Sequence, residues 1–213
     1  MTRITEEIAD LLVRQELFCG MRDIINANDA TTKPNFLVEW MMRNHTDAIS
    51  VGIRRLCDLG RISKRVDVVS LGRLLAEMIQ YPHSITRRAH HSRYKNSSDR
   101  ANYTFDRIVG KKHRFAPAAM FWADLRKLGL TSSRIRRLVD KRIAHATPTR
   151  AIRKYPTYGQ ISAALELLDS LACKYNILLT ASYFDTCKPV LVQNWKNPLH
   201  VPWIETKSVA RAV

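Results

Sequence analysis

Tyr158–Thr180, YGQISAALELLDSLACKYNILLT, decides the fold. Ile161, Ala164, Leu165, Leu168, Leu171, Ala172, Tyr175, Leu178 and Leu179 recur every three or four residues, the period of one helix face. A stripe this long is stable in water only against other helices. Working outward, the same period predicts helices over about 6–26, 34–58, 69–80, 117–128 and 131–145. Glu6 and Glu7 open the first, where the helix dipole favours acids, and Asn28-Asp29 close it. The second starts at Pro34 and stops near Gly60, with a buried stripe of Phe36, Leu37, Trp40, Met41, Ala48, Val51 and Leu56. The third buries Leu71, Leu74, Leu75, Met78 and Ile79, and the fourth, carrying Phe121, Trp122 and Leu125, breaks at Gly129. The expected fold class is all-α, a bundle of five or six helices over residues 1–180. Residues 84–114, poor in apolar side chains, read as a basic insertion or arm with a short helix from Ser98 to Val109. Residues 181–213 read as an irregular tail or small hairpin.

The chain has 213 residues, 46% of them hydrophobic and 25% charged, the make-up of a globular protein rather than a disordered one. It contains no apolar run long enough to span a bilayer. MTRITEEIADLL lacks the pattern of a signal peptide, so the expected location is the cytoplasm, with no membrane partner. Cys19, Cys57, Cys173 and Cys187 stand far apart without a C-x-x-C, which favours reduced thiols over a disulfide framework or zinc site.

The net charge of +16 is unevenly distributed. Residues 81–154 hold 19 Lys and Arg against Asp99, Asp106, Asp124 and Asp140, a net of +15, whereas residues 1–80 sum to zero. Closely spaced phosphates match that density, because neutralising them releases counterions. A solvated, solubilising face is the bland alternative. The candidate phosphate contacts are Arg87, Arg88, Lys111, Lys112, Arg114 and Arg136. Tyr94, Tyr103 and Phe105 among them either stack on bases or anchor the arm. His83, His90, His91 and His113 match no metal-ligand spacing, and no metal or other cofactor is expected.

The stretch Arg134–His145, RIRRLVDKRIAH, carries the chemistry. In an unbroken helix Arg137, Lys141 and His145 fall at i, i+4 and i+8 and share a face away from Ile135, Leu138, Val139 and Ile143. A near-neutral imidazole beside two cations is the minimal equipment for metal-free RNA cleavage by a ribose hydroxyl. A capping His beside a solvated basic face accounts for the same residues.

A basic helix ending in Lys141-Arg142-Ile143-Ala144-His145, then a loop and a long amphipathic helix, resembles the HEPN superfamily, above all its abortive-infection, AbiU-like branch. Ile53–Asp58 (IRRLCD) and Ser70–Leu75 (SLGRLL) resemble that branch's second and third helices. The resemblance covers roughly residues 36–80 and 116–180. It implies a module for RNA cleavage or RNA binding in a toxin–antitoxin or phage-defence setting. It also implies a homodimer and an antitoxin or regulatory partner. The family motif sets Arg before His with four to six residues between; those positions here are Asp140, Val139 and Leu138. Only His145 carries over directly, with Arg137 and Lys141 offered by helical geometry. Relatives with eroded motifs are expected to bind RNA without cutting it. Two other classes fit the residues: a non-catalytic DNA- or RNA-binding regulator that uses the arm, and a helical scaffold for an acidic protein.

Overall fold

The computed structural model describes residues 1–27, 36–59, 69–94, 97–144, 154–191 and 195–197. Among these the fold is all-α, with eight α-helices: α1 (Thr2–Asn26), α2 (Phe36–Leu56), α3 (Leu71–Gln80), α4 (Arg87–His91), α5 (Ser98–Ile108), α6 (Ala118–Thr131), α7 (Ser133–Leu138) and α8 (Tyr158–Thr180). The count exceeds five or six because residues 84–114 contribute α4 as well as the expected α5. No described helix is long and apolar enough to cross a membrane.

The axis of the bundle is α8, which packs against α1, α2, α4, α5 and α6. Its predicted stripe is the core: Ile161, Ala164, Leu165, Leu168, Leu171, Ala172, Tyr175 and Leu178 are buried. Thr157 and Gln160 start it with reciprocal side-chain bonds to each other's backbone N–H. The buried Tyr175 hydroxyl donates to Asp124 of α6 at 2.5 Å, and Lys174 pairs with the same carboxylate oxygen at 2.6 Å. Burial first, then the Asp124 carboxylate, pushes the Tyr175 hydroxyl far up.

Several expectations need correction. In α2 Leu56 of the expected stripe is buried together with Ile49, Ser50 and Ile53, while Phe36, Leu37 and Trp40 are exposed. The helix has two apolar faces, and α1, α7 and α8 pack on the one the sequence reading passed over. Trp122 of α6 is also exposed. Gly129 lies inside α6, and a Cβ added there would meet nothing within 4 Å. Because α1 begins at Thr2, Glu6 and Glu7 fall beyond its first turn. Pro34, Asn28, Asp29 and Gly60 lie outside the described residues.

The chain leaves α8 through Ala181, in the left-handed conformation at φ 61°, and doubles back along the helix it has left. Asn176 donates to the Ser182 carbonyl at 2.9 Å, Lys188 pairs with Glu16 of α1, and Trp195 packs against Gly20. Of the two expected forms of the tail, the described part is the draped one.

Candidate nucleic-acid interface

Residues 84–114 are built into the bundle rather than held off it as an arm. Ile85, Ala101, Phe105 and Val109 are buried. So is His90, whose Nδ1–H donates to the Leu178 carbonyl of α8 at 3.0 Å. That bond leaves Nε2 to accept from the Thr104 hydroxyl at 2.9 Å, so the neutral ring is fully used. Desolvation lowers the His90 pKa against the opposing pull of the Leu178 bond. Phe105 and Tyr94 take the anchoring role: Phe105 is in the core, and the Tyr94 hydroxyl bonds Thr104 at 3.0 Å. Tyr103 is exposed.

The segment is closed by a single arginine. Arg87 pairs with Asp106 at 2.6 Å and lies over the Phe105 ring at 4.6 Å. Its guanidinium also reaches the carbonyls of Gly110, Lys111 and His113 at 3.2–3.4 Å and the Asn102 side chain at 3.3 Å. Gly110 permits the turn at φ 107°, where a side chain would be strained. The Arg87 N–H donates to the Arg114 carbonyl, and the Ala116 N–H to the Ile85 carbonyl. The backbones of 85–87 and 114–116 therefore lie side by side. Arg88, Lys111, Lys112 and Arg114 stand exposed on this knob. Arg87 leaves the set of phosphate contacts, because its donors serve the fold.

Arg136 lies on α7, outside the knob. It is half-buried near Cys57, and its Nε is buried without a hydrogen-bond partner among the described residues. Burial raises the Cys57 thiol, opposed by Ser132, Arg136 and Arg54.

The chemistry-bearing stretch departs from an unbroken helix. α7 ends at Leu138, and Val139–Ile143 form a π turn closed by the Ala144 N–H on the Val139 carbonyl at 2.8 Å. The wider i→i+5 turn interrupts the four-residue register assumed for Arg137, Lys141 and His145. Arg137 and Lys141 are exposed, and His145 lies outside the described residues. Asp140, at one of the positions where the family motif sets Arg, bonds Arg54 of α2 at 2.9 Å, and Arg54 also pairs with Asp58 at 3.5 Å. Two carboxylates thus neutralise the nearest cation on the neighbouring helix.

Beside this turn a cavity of about 220 Å³ is lined by Met42, Arg43, Thr46, Asp47, Leu138, Arg142, Tyr155 and Tyr158. Arg142 bonds the Tyr155 hydroxyl. Burial raises the Asp47 carboxyl, with Arg142 and Arg43 opposing it. The sequence reading missed Arg43 and Arg142 as a pair lining one cavity; they stand on separate helical segments, and no spacing in the sequence links them. His45 faces the other way from α2. It stacks on Phe18 at 3.8 Å between ring centroids, bonds Gln15 at 3.1 Å, and burial lowers its pKa to about 4.

No protein-family model, no curated protein and no solved structure matches this chain.

Proposed function

We propose that this protein binds RNA through Arg88, Lys111, Lys112 and Arg114, as a HEPN-like module that holds its target without cutting it. The observation that carries the reading is the knob itself. One inward arginine joins α4 to the 110–114 loop, and Arg88 of the helix and Lys111, Lys112 and Arg114 of the loop stand exposed, with no acidic partner among the described residues. Exposed cations attached to one fixed backbone can meet neighbouring phosphates together and release their counterions. The choice of RNA over DNA, the homodimer and the defence setting rest on the family resemblance. Binding without cleavage is favoured by Asp140, which occupies a motif position and sequesters Arg54.

Binding is tested by titrating labelled single-stranded RNA over a range of salt. Replacing the four cations with Ser should shallow the log–log salt slope by about 3, at roughly 0.7–0.9 per phosphate contact. An unchanged slope and affinity overturn the reading.

The cavity at Arg43 and Arg142 supports a second reading, a metal-independent endoribonuclease in which His145 exchanges the proton. In that case RNA incubated with the protein and EDTA yields ends bearing a cyclic phosphate, and His145→Ala lowers the rate about 100- to 10,000-fold. Intact RNA under saturating protein leaves the binding-only form standing.

A further inference from the structure

The doubling back of the chain after α8 brings three potential metal ligands together. Asp169 and Cys173 stand one turn apart on α8, and the returning segment places Cys187 against them. One ligand atom from each lies within 4.8 Å of the others, and all three residues are half-buried. We propose that Asp169, Cys173 and Cys187 form a binding site for a thiophilic divalent cation, with zinc as the natural occupant.

Three features favour a cation over a chance meeting of polar groups. The first is ligand chemistry. Two thiolates and a carboxylate are donors that tetrahedral zinc accepts, and three protein ligands leave one position open. Asp169 and Cys173 also line a cavity of about 520 Å³, with Glu166, Ser170, Lys174 and Tyr183 on its walls.

The second is orientation. The Cys187 N–H donates to Asp169 Oδ1 at 2.6 Å, and the Thr186 hydroxyl donates to Oδ2 at 2.7 Å. Outer bonds of this kind fix a carboxylate while leaving lone pairs for a metal. The Cys173 thiol points at Oδ1 as well, 3.8 Å away, so its proton sits where a cation would replace it.

The third is distance. Zn–S bonds of about 2.3 Å and Zn–O bonds of about 2.0–2.2 Å put ligand atoms roughly 3.5–4 Å apart in a tetrahedron. The present cluster needs to contract by about 1 Å or less, within reach of side-chain rotation.

Burial and Asp169 push the Cys173 thiol up to about 11 and the Cys187 thiol higher still. Without a cation these are inert thiols. A dication supplies the charge that stabilises both as thiolates.

The test uses the full chain, reduced and stripped of metal, titrated with Co²⁺ and then Zn²⁺. One Co²⁺ per chain should bind with thiolate-to-cobalt charge-transfer absorption and tetrahedral d–d bands, and Zn²⁺ should displace it. Zinc should also protect two of the four cysteines from a thiol reagent. Cys173→Ser and Cys187→Ser should each lower affinity by more than the about 10- to 100-fold typical of losing an outer-sphere partner. Cys19→Ser should bind as the unaltered chain does. Asp169→Asn keeps the side-chain shape and should weaken binding in the same direction if either cysteine variant fails to fold. Cobalt spectra without a thiolate band, equal protection of all four thiols, or a Cys173–Cys187 disulfide in the reduced preparation would each overturn the site.

Discussion

The knob at 84–116 and the turn at 132–144 have similar cation-rich sequences but engage their cations differently. In the knob, Arg87 takes up the backbone carbonyls and Asp106, and its four basic neighbours are left facing water. Around the turn, Asp140 ties down Arg54 and Arg142 binds Tyr155, Arg136 is half-buried near Cys57, and Arg137 and Lys141 are exposed. Charge density along a chain therefore says little about charge offered to a ligand. What matters is whether nearby carbonyls and acids absorb the donors first.

The contrast is open to attack at several points. The largest effect is expected on RNA binding: Ser at positions 88, 111, 112 and 114 should remove most of the salt-dependent affinity. Arg142→Ala should change the salt slope by less than about 1, the value of one contact. A larger loss at Arg142 would move the interface to the turn.

Next in size is Arg87→Ala, which leaves Asp106 and three carbonyls without their donor. Urea unfolding should show a loss of roughly 2–3 kcal/mol, since stranded partners of a half-buried charge cost more than the bond itself contributed. The four Ser replacements should each stay within about 0.5 kcal/mol of the unaltered chain. Equal stability losses in both sets would erase the distinction between clamp and contact.

His45 provides a smaller, pH-dependent check. Its folded pKa is depressed to about 4, so between that value and about 6.5 the unfolded chain binds more protons. Stability from this residue is intact above about 6.5 and declines as pH falls toward 4. Urea midpoints at pH 7 and pH 5 should differ less in His45→Gln than in the unaltered chain. The smallest effect is Gly129→Ala on the approach to the turn. Open space around the missing Cβ predicts a gain of about 0.5–1 kcal/mol, visible as a higher thermal midpoint.

Periodicity gave α8 from end to end, because its apolar stripe runs the length of the helix, although Leu167 and Ile177 off that stripe are buried as well. It failed in α2, where Phe36, Leu37 and Trp40 form a second face and only the positions of α1, α7 and α8 select Ile49 and Ile53. The basic third was legible as a charge excess, and α5 as a short helix, but the inward turn of Arg87 depends on carbonyls set by Gly110. The π turn was invisible, since α and π turns use the same residues. Cys173 and Cys187 looked unrelated because their meeting depends on a chain reversal at Ala181, an alanine in a conformation that sequence readers assign to glycine.

The late arrival of α8 has a consequence for how the protein is made. α1 is covered by residues synthesised long after it: the Gln15 side chain meets Ser162, 147 positions downstream, and Glu16 meets Lys188. At about 5–20 residues per second, α1 has α2 to pack on early but waits roughly 10–30 s for α8 to complete its cover. Ile49 and Ile53 wait nearly as long. A solenoid would close each unit on the preceding one as it emerged. This bundle instead pairs α1 with α2 and α3 with α6 early but completes their burial only when α8 emerges, which prolongs the contact of part of its apolar surface with water during translation.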